Sequence, residues 1–524
     1  MIAHPKDVYR LTDPKWSKKL YLLVLLAGVA LYGVTAQRGV TWQDSGMHQW
    51  RVLNVQYHNS LGLALDHPLY IAMCQPVRWL AGQDLPAWMN RLSGLGMAIT
   101  LANVYLAGFW LTGRHFAALL AAAMLGVAHT AWWLATISET YCWVTAGLTT
   151  EVLLLVWLIV LPRWWKLALL ALVNGLGVSM HNLALLPLPV YGLVALILIY
   201  QRRLPIWCLL PALGGWLAGA GLYLTFVVQQ GLASGDWPAT IRSALFGEAY
   251  KREVLNSNLK TVGLGGLYIL LNWPFLSLLP VLMGWWAMPG RVGRGIGSAL
   301  GAIAAIELIF AVRYAVPDQF MFLLPAYAML AIGAAVGIDR ILHLRPMPRQ
   351  VLMGLVLFSL AATPLLYALT PMVMDSRGIS IRPKARHLPG RDENRYWLTP
   401  WKMNENSAQE FAVQSLITVQ GEAVILADGM TAFPLKLVQA LRQSRPDVHV
   451  EGGGSRELGD VNQDPAGFRQ KLAGRPLYVT TNDPRYLSAS LLKLVDLSPA
   501  GPLYRASFRP ATSLPASTMP TQPQ

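Results

Sequence analysis

The feature that most constrains this chain is a repeated alternation of long apolar runs with short turns, in which Lys and Arg gather in every second turn. A run long enough to cross a bilayer reads as a candidate membrane-crossing helix. Eleven runs can be traced, at about 19–38, 91–112, 116–135, 142–161, 167–180, 183–200, 206–228, 263–287, 296–312, 320–338 and 351–370. Arg114, Arg163, Lys166, Arg202, Arg203, Arg291, Arg294, Arg340, Arg345 and Arg349 fall in turns on one face, and Lys6, Arg10, Lys15, Lys18 and Lys19 precede the first run. The positive-inside rule makes that face cytoplasmic and puts the carboxy-terminal part outside. The first run has no convincing small-residue cleavage site after it and reads as an uncleaved helix.

Composition agrees with this class and removes others. The 524 residues are 54% hydrophobic and 13% charged, with a mean hydropathy of +0.40. The net charge of +15 would suggest nucleic acid, but much of the excess lies in the basic turns, so no nucleic-acid partner is expected. Cys74, Cys142 and Cys208 form no disulfide framework. The expected fold class is therefore a mainly α membrane protein of about 11 transmembrane helices over residues 1–370. A polar connecting segment, 371–410, follows.

Beyond it the pattern changes to short strands and a helix. Ala423–Ala427, Val448–Val450 and Leu477–Thr480 are strand candidates, and Thr431–Ser444 has helical spacing. A small extracytoplasmic α/β domain is expected over 411–509. A Pro/Ser/Thr-rich tail, 510–524, reads as disordered. Asp428 ends the first strand candidate. It stands where open α/β sheets bind ligands, and equally where Asp-Gly makes an ordinary turn.

Candidate chemistry lies in the outer loops. Asp44 follows the first run within Thr41-Trp42-Gln43-Asp44-Ser45-Gly46 and opens a polar, aromatic loop with Arg51, His58, Asp66, His67 and Tyr70. A short interfacial helix is expected within Trp50–Leu65. Glu139 follows the third run, His181 sits at the tip between two short runs, and Arg313 ends the ninth. Each has a structural alternative: Asp44 as a helix cap, His181 as an interfacial histidine, Arg313 as a snorkelling anchor, and Lys251 and Arg252 as a solvated loop face. Taken together, the loops supply a carboxylate able to deprotonate a hydroxyl and cations able to hold a phosphate. Asp44, Glu139 and His181 are expected to share one cavity near the outer membrane surface. P-loop, GxGxxG, HExxH and CxxC signatures are missing, so soluble-nucleotide and zinc chemistry lack their usual signals.

Several segments taken in order resemble the protein O-mannosyltransferase-like branch of the GT-C glycosyltransferases. They are Trp42-Gln43-Asp44-Ser45-Gly46, His67-Pro68-Leu69-Tyr70, Glu139-Thr140-Tyr141, Gly175 through His181, Val316 through Phe320, Asp428 through Leu435, and Arg445-Pro446-Asp447-Val448. The resemblance implies a GT-C fold and a hexosyltransferase that takes sugar from a polyprenyl-phosphate carrier within the bilayer. It also implies that Asp44 is the catalytic base. In the reading adopted, Glu139 assists, and His67, Tyr70, His181, Arg313 and Asp428 bind substrate. Met47 stands where family members often carry an acid, and His67-Pro68-Leu69-Tyr70 replaces the usual His-Pro-Pro-Gly. No cofactor follows from the motifs, and a divalent cation is compatible with the acids. The acceptor is a protein, lipid or glycan hydroxyl, and the expected location is a bacterial inner membrane with a periplasmic carboxy-terminal domain. The competing functions are a transporter or flippase for lipid-linked sugars and a non-catalytic assembly subunit.

Overall fold

The computed structural model describes residues 14–247, 258–383, 386–452, 458–459 and 461–509. Lys251, Arg252 and the tail from 510 lie outside the described residues. The chain divides into two bodies. One comprises Met1–Arg38, Arg51–Ile381 and Glu393–Asn404; the other comprises Gly39–Trp50, Arg382–Asp392 and Glu405–Gln524.

The first body is helical. Among the described residues eight helices are long and apolar enough to cross a membrane by length and composition, and three shorter apolar helices accompany them. Two helices form its centre, Leu85–Thr112 and the almost wholly buried Leu324–Leu342. Around them pack Pro14–Thr35, His115–Gly126, Tyr141–Val160 and Leu278–Val292. Within lipid there is little hydrophobic drive between helices, so close backbone approach matters more. Leu278–Val292 meets Leu324–Leu342 at such a place. A Cβ on Gly337 would lie 1.8 Å from the Pro280 carbonyl oxygen, and one on Gly284 would lie 1.8 Å from that of Gly333.

Two of the expected spans are broken near their middle. The run at about 263–287 is two helices, Leu259–Asn272 and Leu278–Val292. Pro274 has no N–H to continue the helix, and Phe275 adopts a left-handed backbone with φ 56°. The freed Leu276 N–H is taken by Ser359 Oγ at 3.3 Å. The run at about 116–135 is His115–Gly126 followed by His129–Leu134, with Ala128 extended between them. Tyr367 Oη accepts the His129 N–H at 3.1 Å and Asn272 Oδ1 the Thr130 N–H at 2.7 Å. Polar side chains of other helices thus satisfy the exposed ends, as an apolar surrounding requires. Helix also reaches into the outer segment expected to be loop at about 229–262, through Leu209–Ser234 and Trp237–Phe246. The helix expected within Trp50–Leu65 instead runs earlier, Gln43–Leu53, with Asp44 in its first turn and Arg51 in its last. That placement puts each charge at the dipole end that favours it.

The second body is built on a five-stranded sheet in the order β2-β1-β3-β5-β4. The strands are β1 Val424–Leu426, β2 His449–Glu451, β3 Leu477–Val479, β4 Val495–Ala500 and β5 Leu503–Phe508. β1 runs parallel to both neighbours, with Val424 opposite His449 on one side and Leu477 on the other. β5 runs antiparallel to β3 and β4. Val424, Leu477, Val479, Phe468, Leu472 and Leu491 lie in its core. The sequence pattern had shown only the three parallel strands. β4 and β5 were hidden because both have exposed or half-exposed positions and β4 contains Pro499.

Candidate active site

In the first body, His181 leaves the helix Trp164–Met180 with an extended backbone and caps the short turn Asn182–Leu185. Its Nδ1 accepts the Leu183 N–H at 3.1 Å. With Nδ1 used as acceptor, the neutral ring carries its proton on Nε2. Nothing among the described residues accepts that Nε2–H. Burial lowers the His181 pKa to about 4, so the ring is neutral at physiological pH and presents a donor rather than a charge.

His67 reaches His181 by an unusual backbone. It precedes the helix Pro68–Ala81, where Pro68 can begin the helix but not extend it backwards, and it holds a left-handed φ of 46°. The two imidazoles stack with centroids 4.7 Å apart and planes 18° apart. Behind His67, the preceding loop is held by Arg51. Its guanidinium donates to the carbonyls of Gln56, Tyr57, Leu65 and Asp66, and burial lowers its pKa to about 10. Asp66 accepts the Asn59 N–H at 2.7 Å and approaches His58 at 3.2 Å.

Aromatic rings extend the stack. Tyr141 lies 5.1 Å from His181, Phe322 lies 5.2 Å from Tyr141, and Tyr314 lies 4.7 Å from Phe322. Tyr314 immediately follows Arg313, the last residue of the helix Arg294–Arg313. Arg313 is half-buried, and no partner holds its guanidinium among the described residues. Glu139 is buried just before the helix Tyr141–Val160. Its N–H donates to Ser93 Oγ at 3.0 Å, and it lies within electrostatic reach of the buried Tyr70. Of the residues expected to act, the first body therefore brings His67 and His181 together and sets Tyr70 beside Glu139.

Asp44 belongs to the second body. Its segment is fastened there by Trp42, whose Nε1–H donates to Ser407 Oγ at 2.8 Å and whose ring lies 5.3 Å from Phe411. Gly46 adds a close approach, since a Cβ there would lie 3.3 Å from Phe433 Cβ. No hydrogen bond or ion pair holds the Asp44 carboxylate among the described residues. Two properties of this carboxyl pull in different directions. It is open to solvent, and the protein mass around it still desolvates it enough to raise its pKa. The raised pKa makes the carboxylate a better base.

Asp428 sits at the carboxyl end of β1, and its oxygens are occupied. Oδ1 accepts the N–H groups of Met430 at 2.8 Å and Thr431 at 3.1 Å, starting the helix Ala432–Arg442. Oδ2 pairs with the buried Arg386, which also donates to the Thr480 carbonyl at 2.8 Å. The sequence reading passed over Arg386, which lies in the segment expected to be a connector. It also passed over Glu151 and Glu307, whose signal was an isolated acid inside an apolar run. No group of three or more His, Cys, Asp or Glu among the described residues is arranged to hold a metal ion.

No protein-family model matches the sequence, and no curated protein matches it. Solved structures do match. ArnT from Cupriavidus metallidurans bound to undecaprenyl phosphate aligns over 93% of this chain and 97% of its own, with a TM-score of 0.54 and 15% identity. The apo form of the same protein aligns over 94% and 98%, with a TM-score of 0.54 and 14% identity. The chain shares the fold of these structures. At this identity the likeness concerns the fold, and it extends over both bodies of the chain.

Proposed function

We propose that this chain is an integral-membrane glycosyltransferase that moves a sugar from a polyprenyl-phosphate carrier to an acceptor hydroxyl on the extracytoplasmic face. The observation that carries the reading is the match, over nearly the whole of both chains, to a protein crystallised with undecaprenyl phosphate. Asp44 takes the proton from the acceptor hydroxyl. The acceptor oxygen then bonds to the anomeric carbon, the bond from that carbon to the phosphate oxygen breaks, and polyprenyl phosphate leaves with the electron pair. The unpartnered carboxylate and raised pKa of Asp44 support that role. The Nε2–H of His181 and the guanidinium of Arg313 hold the carrier phosphate, and both are without partners among the described residues. His67 fixes the His181 ring by stacking, and Glu139 with Tyr70 positions sugar or a cation. Asp428 contributes by holding Arg386.

A hexosyl donor, the protein O-mannosyltransferase-like branch and a bacterial inner membrane belong to the same proposal. So does the topology, with a cytoplasmic amino terminus and a periplasmic carboxy-terminal domain; activity from a cytoplasm-only reporter fused after Ile379 contradicts it. The function itself is tested by incubating purified protein with polyprenyl-phosphate sugars and candidate acceptors and following the lipid by mass spectrometry. Release of polyprenyl phosphate with a glycosylated acceptor supports transfer. Lipid-linked sugar that stays intact with every acceptor, or crosses the bilayer unchanged, contradicts it.

A further inference from the structure

Deep in the first body, Glu151 and Glu307 face one small pocket from two apolar helices, Tyr141–Val160 and Arg294–Arg313. They are 1% and 2% exposed. The remaining lining is apolar: Val144, Leu148, Leu183, Ala184, Pro187 and Pro325. The free space suits about one water molecule. The two acids are not equivalent. Glu151 Oε2 accepts from Tyr191 Oη at 2.7 Å and from Asn174 Nδ2 at 3.3 Å, while its Oε1 is unpartnered. Glu307 is without any hydrogen-bond or ion-pair partner among the described residues, and its Oε2 is fully buried.

Two ionised carboxylates facing one another in an apolar helix bundle repel strongly, and no cationic side chain among the described residues pairs with either. A bound metal ion would relieve the charge, but it needs several oxygen ligands, and apart from the two carboxyls the lining residues offer no side-chain oxygen. A proton needs only two partners. Donors stabilise a carboxylate, so the acid that receives Tyr191 and Asn174 is the ionised one, and the acid that receives none keeps the proton.

We propose that Glu151 and Glu307 form a buried proton-binding site in the helix bundle, with Glu151 as the carboxylate and Glu307 as the carboxylic acid, joined through the pocket directly or by one water. The pocket is lined by Leu183 and Ala184, so the site backs onto the turn that His181 caps. The inference is independent of sugar transfer.

Infrared difference spectra of the full-length protein at neutral pH test it. Glu307→Gln should remove a carboxylic-acid C=O band, and Glu151→Gln should remove a carboxylate band. Because Gln replaces a neutral acid at 307 but faces two donors with an amide at 151, Glu151→Gln should lower the melting temperature more. Loss of carboxylate bands alone in both variants overturns the proposal, as does loss of acid bands alone in both. An acid band that fades when NaCl replaces N-methylglucamine chloride at constant ionic strength also overturns it, in favour of a cation. Should either variant fail to fold, wild-type protein labelled with ¹³C at the glutamate carboxyls gives the answer. A protonated glutamate signal at neutral pH supports the site, and its absence overturns it.

Discussion

Replacing His181 separates the capping role of its Nδ1 from the donor role of its Nε2. His181→Phe keeps a ring that can stack on His67, Tyr141 and Phe322. It removes the acceptor for the buried Leu183 N–H, which costs about 1–3 kcal/mol when a buried donor is left unsatisfied. It also removes the donor proposed for the carrier phosphate. A hydrogen bond to a charged group contributes about 1.5–3 kcal/mol, so donor affinity should fall roughly 10- to 150-fold. His181→Asn restores an acceptor well suited to the cap while giving up the stack. The assay pairs melting temperature in detergent with binding of a polyprenyl-phosphate sugar. His181→Phe should lose both stability and affinity, and His181→Asn should recover part of the stability while affinity stays low. Wild-type donor affinity in both variants, with stability reduced, would show that His181 only closes the turn.

Three further perturbations follow from the packing and the charges. Because burial lowers the His181 pKa to about 4 from an unfolded value of about 6.5, the unfolded chain binds the proton first as pH falls. This histidine therefore leaves stability untouched above about pH 6.5 and withdraws about 3 kcal/mol by pH 4, and the acid loss measured by denaturation should be shallower in His181→Phe. Gly337→Ala drives a methyl group into the Pro280 carbonyl 1.8 Å away, so it should destabilise the bundle by about 1–3 kcal/mol, read as a lower melting temperature. Asp428→Ala leaves the buried Arg386 without its carboxylate and should cost about 3–5 kcal/mol, whereas Asp428→Asn retains the helix-starting acceptor and should cost less.

Much of the helical body was legible because an apolar run of membrane length admits few other structures. The breaks were harder. Pro274 was a readable signal within its run, but the pause at Val127–Ala128 depends on Tyr367 and Asn272 arriving from elsewhere in the fold. The same limit applies to the site. Asp44, Glu139 and His181 stood out as polar residues beside apolar runs. The stack of His67 on His181 and the fastening of the Asp44 segment through Trp42 and Ser407 join positions far apart in sequence, and no local pattern encodes them. Glu151 and Glu307 show the opposite case. Their signal was local, a single acid within each apolar run, and their pairing is visible only once the helices are packed.

The proposed function rests most directly on the Asp44 carboxylate, so the decisive measurement is the transfer rate of Asp44→Asn beside that of the wild type, with folding and donor binding checked in the same preparation. Asparagine preserves size and is as good at a helix start as aspartate, but it cannot take a proton. With Asp44 as the base, the rate should fall about 10²- to 10⁴-fold with folding and donor affinity retained. Near-wild-type turnover by Asp44→Asn would contradict it, return Asp44 to a structural role and leave Glu139→Gln as the next base to test.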